Sequence, residues 1–294
     1  MPICPRDAAA IWYEDEGEGE VVLLVHGGLF DPMDGRRFWR RPGVADDLVA
    51  AGYRVLVPDR RFSVGKTQAP FALHTWDVEA GDLRGVLDHG GVAAAHVVAG
   101  SNGCSAAVRL ALTRPDRVRS VLLCWPARLD PALDDAFERA IDAIGWAGPA
   151  AYLGGLRAHG LPRAGAARPG FPWGAALLAD DRFAAEFERL PAAEAAAIVR
   201  ATAGSLLPGE LIRGVSLRDV AVLGRIGLPV GVMPAEPEDP HHPAATAWEL
   251  GARIPNAALL SAFPTTQVPG FAGSRGRSRT EESGVEGQES ESDS

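Results

Sequence analysis

Ser101 is the side chain best placed for nucleophilic chemistry, because of its neighbours in Val97-Val98-Ala99-Gly100-Ser101-Asn102-Gly103. A serine hydroxyl is a weak nucleophile unless it is exposed to a substrate and a base takes its proton. A sharp turn from strand into helix provides the exposure, and it tolerates only small residues two before and two after the serine. Ala99 and Gly103 meet that demand. The helix that starts behind Ser101 presents backbone N–H groups at its N-terminus, and that of Asn102 is suited to hold a developing oxyanion. The alternative reading is an ordinary tight turn.

The flanking sequence has the elements that such a turn requires. Val21–Val25 is an uninterrupted β-branched and leucine run, the pattern of a strand buried on both faces. Further strands are expected over 53–57, 96–99 and 118–124, and helices over 45–51, 76–88 and 104–113. Strand alternating with helix predicts right-handed βαβ units, hence an α/β protein with a doubly wound, mostly parallel sheet. Residues 127–226 break the rhythm with Ala-rich helical segments (133–144, 180–190, 192–202) and Gly/Pro-rich loops, and read as an inserted helical cap. The sheet resumes in 227–272 with strands at 228–233 and 257–260, around a helix over 244–253. From 273 to 294 the only apolar residue is Val285, so that stretch is expected to be a disordered acidic tail.

Composition narrows the partners. The net charge is −9, and Arg36, Arg37, Arg40 and Arg41 are flanked by Asp31, Asp34, Asp46 and Asp47. No cationic face suited to nucleic acid is evident. Cys4, Cys104 and Cys124 lack metal-ligand spacing, and an odd count argues against a disulfide framework. Neither a signal peptide nor an apolar run long enough to span a membrane is read, so a cytoplasmic location is the expectation. No cofactor or metal is expected. The oligomeric state is not legible.

The order VVLLVHGG, then YRVLVPD, then VVAGSNGCSAAVRLALTRPDRVRSVLL, resembles the α/β-hydrolase superfamily over roughly residues 10–126 and 226–262. The resemblance implies that Ser101 is the nucleophile and that the His-Gly-Gly turn supplies a second oxyanion donor, Gly28 N–H or that of Leu29 beside it. His26 is then structural, as is Asp59-Arg60-Arg61-Phe62-Ser63-Val64-Gly65, where Phe62 replaces a usual glycine. In Ala235-Glu236-Pro237-Glu238-Asp239-Pro240-His241-His242-Pro243 the spacing of Asp239 and Pro243 matches the family's acid loop. Asp239 is the implied acid, with Glu238, Glu236 and the more distant Asp130 as competitors.

The base departs from the pattern. The family keeps it in the loop after the last strand, and here no histidine follows His242. His241 or His242 could substitute, although either side chain is so close to Asp239 in sequence that bridging it to Ser101 looks difficult. His159 of the cap is a more remote candidate, and a replaced or frame-shifted C-terminus is another account of the missing residue. The resemblance implies hydrolysis of a small ester or related acyl substrate. The competing reading is a catalytically silent ligand- or partner-binding protein. Cys104 reads as packing volume, and Trp125, Trp146, Trp173, Phe171 and Tyr152 as either an acyl pocket or cap core.

Overall fold

A computed structural model of the chain describes residues 2–6, 8–28, 33–61, 66–67, 69, 76–127, 131–159, 178, 181–203, 222–236 and 242–261. Its frame is an eight-stranded sheet in the order β1-β2-β4-β3-β5-β6-β7-β8. The strands are β1 (Ile3–Arg6), β2 (Ala9–Glu16), β3 (Val21–Val25), β4 (Arg54–Pro58), β5 (Ala95–Gly100), β6 (Val118–Cys124), β7 (Val230–Met233) and β8 (Ala257–Leu259). From β4 to β8 every neighbouring pair is parallel, whereas β1 and β2 join antiparallel at one edge.

The helices among these residues are α1 (Val44–Ala50), α2 (Trp76–His89), α3 (Gly103–Thr113), α4 (Pro131–Ala147), α5 (Pro149–His159), α6 (Asp181–Glu188), α7 (Ala192–Ala203) and α8 (Ala244–Arg253). Helices cover both faces of the sheet. Leu83 and Val86 of α2, Ala107 and Leu110 of α3, and Ala247 and Leu250 of α8 share one buried cluster with Leu23, Val97 and Leu123. On the other face, Ala45 of α1 packs with Phe38, Trp39, Val22, Leu24 and Trp125. Continuous β-branched strands fit this doubly wound arrangement because a parallel sheet buries both its faces.

Between β6 and β7 the helices α4 to α7 carry a third cluster of their own, including Ile141, Ile144, Leu153, Phe187 and Val199. Tyr152 belongs to that cluster, and Trp146 is 96% exposed, so neither is a pocket wall among the described residues. Phe171, Trp173, Asp130 and the 273–294 segment lie outside the described residues. The antiparallel β1–β2 pair has no counterpart in the sequence reading. Its strands lack the uninterrupted apolar run of β3: β1 is the sheet edge, and β2, between β1 and β4, ends in the solvated Glu16. No helix among the described residues is long and apolar enough to cross a membrane.

Candidate functional site

The site is built at the C-terminal edge of the parallel strands. Strand β5 ends at Gly100 and α3 begins at Gly103, which leaves Ser101 and Asn102 to make the whole turn. Ser101 accordingly has φ 54°, in the left-handed region that a β-carbon disfavours. Two backbone bonds hold it there. Its N–H donates to the Cys124 carbonyl of β6 at 2.9 Å, and its own carbonyl accepts the N–H of Cys104 at 3.1 Å.

The small neighbours are required by close approach. A β-carbon on Gly103 would lie 2.5 Å from the His26 carbonyl oxygen, and one on Gly27 would lie 2.5 Å from Ser101 Cβ. The 26–28 turn therefore packs directly against the Ser101 turn, with Gly28 at φ 90°. Ala99 is fully buried. The Cys104 thiol, also buried, donates to the Ala99 carbonyl at 3.4 Å, and burial pushes its pKa well up, consistent with packing and not reactivity.

His242 is the decisive side chain. It is 3% exposed, Ser101 is 8% exposed, and His242 Nε2 lies 2.9 Å from Ser101 Oγ. With the imidazole proton on Nδ1, the serine hydroxyl donates to Nε2, the geometry a general base needs. The backbone explains the placement. His242 ends the loop after β7 and precedes Pro243, which restricts it to an extended conformation. Pro243 in turn is the N-cap of α8, and its carbonyl accepts the Thr246 N–H at 2.9 Å.

The apparent difficulty of reaching Ser101 from the acid loop is thus overcome by the short span over β6 from the end of β7 to the end of β5. Among the described residues of that loop, His242, immediately before Pro243, arrives there. His241, Asp239 and Glu238 lie outside the described residues. Glu236 is half-buried, and His159 ends α5, exposed to solvent.

His26 has both ring nitrogens engaged. Nδ1–H donates to the Gly27 carbonyl at 2.6 Å, and Nε2 accepts the Arg60 N–H at 2.8 Å. Burial, aided by the Arg60 charge, lowers its pKa to about 4. Its role is to brace the turn. Asp59 is also consumed, accepting the N–H of Gly35 at 2.9 Å and of Lys66 at 2.8 Å, and burial raises its pKa to about 6 despite these bonds.

These two shifts act in opposite directions on stability. The unfolded chain protonates His26 near its ordinary value, before the folded chain does. Its contribution is therefore complete above about pH 6.5 and falls by about 3 kcal/mol on acidification toward pH 4. Asp59 does the reverse, favouring the folded state below about pH 4 and losing that benefit by about pH 6. An NMR titration of the ring nitrogens is expected to show His26 neutral, as the Nδ1–H tautomer, down to about pH 5. A midpoint near 6.5 would contradict the buried arrangement.

A groove of about 480 Å³ lined by Arg6, Arg61, Asp82, Arg84 and Arg114 touches neither Ser101 nor His242. Arg61 and Asp82 pair within it, and Arg114 pairs with Asp116 at 2.7 Å, so it does not compete as a reaction site. Among the described residues no group of three or more His, Cys, Asp or Glu is arranged to hold a metal ion.

A family model described as the alpha/beta hydrolase fold matches residues 20–218. The chain belongs to the α/β-hydrolase family. As such a member it is 32% identical over 123 residues to a 2-hydroxy-6-oxo-6-phenylhexa-2,4-dienoate hydrolase of Burkholderia cepacia, a match covering 42% of each chain. It is also 32% identical over 141 residues to the rhodomycin D methylesterase of Streptomyces peucetius, covering 46% of this chain and 45% of that one. The α/β-hydrolase thus spans less than half the length of these curated relatives.

Solved structures share the fold over most of its length. An N-acyl homoserine lactone degrading enzyme aligns with TM-score 0.59 and 22% identity, covering 93% of this chain and 95% of its own. A thermophilic esterase from Thermogutta terrifontis aligns with TM-score 0.54 and 23% identity, covering 87% and 85%.

Proposed function

We propose that this α/β-hydrolase cleaves small carboxylic esters or related acyl substrates, with Ser101 as nucleophile and His242 as general base. The observation that carries the proposal is the 2.9 Å approach of His242 Nε2 to Ser101 Oγ, both side chains buried at the strand ends. A hydrolase and a methylesterase among the relatives support the reaction class.

In this reading Ser101 Oγ attacks the acyl carbon while its proton passes to His242 Nε2. The tetrahedral oxyanion is held by the N–H groups of Asn102 and Gly28. Neither the first residues of a helix nor a loop glycine owes its N–H to a carbonyl one turn back. Collapse expels the alkoxide, which takes the proton from His242 and leaves as the alcohol. Water then attacks the acyl-serine with His242 again as base, releasing the acid and restoring the hydroxyl. Asp239, three residues before His242, is proposed as the acid that orients the imidazole and stabilises its charged form. The silent-binder alternative was motivated by the lack of a base, and a buried imidazole beside the hydroxyl removes that motive.

Wild-type protein is expected to turn over p-nitrophenyl acetate and butyrate, and Ser101→Ala to lower kcat by about 10³-fold or more. Equal rates for the two proteins would overturn the proposal.

A further inference from the structure

We propose that Arg60 is a positioning residue that sets the spacing between the two backbone segments of the oxyanion hole. The inference rests on the reading above, in which Gly28 and Asn102 donate to the oxyanion. These residues are far apart in sequence and follow neighbouring strands, β3 and β5. Donors to an oxyanion are effective only when held about 2.7–3.1 Å from its developing position, so the gap between the two turns must be set by something that contacts both.

Arg60 contacts both. Its Nη1 donates to the His26 carbonyl at 3.0 Å and to the Asn102 side-chain oxygen at 3.0 Å. Its backbone N–H holds His26 Nε2 at 2.8 Å. The guanidinium is itself fixed from behind by α2, where Glu79 accepts from Nε at 2.6 Å and from Nη2 at 2.9 Å. Arg60 and Glu79 are buried, so these bonds are little weakened by solvent. A single nitrogen therefore ties the turn that presents Gly28 to the turn that presents Asn102, and helix α2 sets its direction. Only a planar fork can do this. A lysine ammonium has the charge without the fixed directions.

The arrangement also accounts for a carboxamide directly after the nucleophile. Asn102 is buried and offers Arg60 an acceptor that an apolar side chain lacks.

The test uses the full chain and three variants. Arg60→Lys keeps the charge but not the fork. Arg60→Met/Glu79→Leu removes the buried pair as a unit, so that no lone charge is left inside. Asn102→Ala cuts one arm and keeps the backbone N–H. Each is assayed for kcat and KM on p-nitrophenyl acetate and for inhibition by phenylboronic acid, which becomes tetrahedral on a serine. Amide hydrogen exchange is followed in peptides covering 26–28 and 101–104.

Positioning predicts a kcat loss of about ten- to a hundredfold with KM within about twofold, and boronate affinity falling in parallel with kcat. In the Arg60 variants it also predicts faster exchange in both peptides together, with β6 and β7 unchanged. Loss of activity in the Arg60 variants with unaltered exchange in either peptide overturns the proposal. So does faster exchange throughout the sheet with boronate affinity retained, which would make Arg60 a stability element alone. If wild-type protein shows no Ser101-dependent turnover, the esterase reading fails separately. Exchange then still decides: a joint rise in both peptides supports the clamp, and a rise in one alone overturns it.

Discussion

Replacing His242 with alanine is expected to lower kcat on p-nitrophenyl esters by about 10³-fold or more, while His241→Ala stays within about threefold of wild type. The asymmetry follows from geometry. Only one of the two adjacent imidazoles is described against Ser101, at 2.9 Å, and the single Ser101 hydroxyl has one proton to give. Residues acting as one nucleophile–base unit lose their function together, so Ser101→Ala/His242→Ala should be no slower than the worse single variant. Additive losses in the double variant would mean that the two residues act independently. Full activity in His242→Ala would reject the base assignment outright. Steady-state kinetics on wild type, the three single variants and the double variant, with circular dichroism as a check on folding, is sufficient to distinguish these outcomes.

Gly103→Val is expected to be the most disruptive single substitution at the elbow, destabilising the fold by about 3 kcal/mol or more and removing activity with it. A β-carbon at position 103 meets the His26 and Val25 carbonyl oxygens at 2.5 and 2.9 Å, and these are backbone atoms at the end of the central strand β3. They cannot step aside as a flexible side chain could. Relief requires α3 to move off the sheet, which carries the Asn102 N–H away from Gly28.

Gly154→Ala is the control. Gly154 lies within α5, and its added methyl meets nothing within 4 Å among the described residues. The change should be neutral or stabilising by up to about 1 kcal/mol, since alanine is the better helix former. Urea denaturation of both variants measures the contrast. A Gly103→Val protein as stable as wild type would show that α3 and the 26–28 turn are not in the described contact.

Much of this molecule is legible in the order of its residues because its determinants are local. Strand β3 is a continuous apolar run, as is β4 after Arg54, and their burial on both faces follows from that composition alone. The Ser101 turn is likewise local: five consecutive residues contain the strand end, the strained serine, the small flanks and the helix start. The family resemblance implies that His26 and Asp59 are structural, but two of the groups that hold them, the Arg60 N–H for His26 and the Gly35 N–H for Asp59, lie 34 and 24 residues away and are brought to them by the fold. The edge strand β1 and its neighbour β2 carry no such apolar run, because an antiparallel strand near the edge of a sheet need not be apolar throughout.

Which imidazole lies beside Ser101 was decided at a different level. The family resemblance pointed to the loop after β8, where there is no histidine, and left His241 and His242 as alternative substitutes. Pro243 restricts the backbone of His242 and not that of His241, but this local difference does not say which ring faces Ser101. The contact that does so joins positions 141 residues apart, across the ends of β5 and β7 with β6 between them. It depends on strand order, on the extended backbone ahead of Pro243 and on where α8 begins.

The amino-acid sequence by itself determined that this chain would fold as an α/β sheet and present Ser101 on a strained turn, because hydrophobic period and steric room are properties of neighbours. Only the tertiary structure decided which imidazole meets that serine, because proximity between two loops is set by the sheet that carries them.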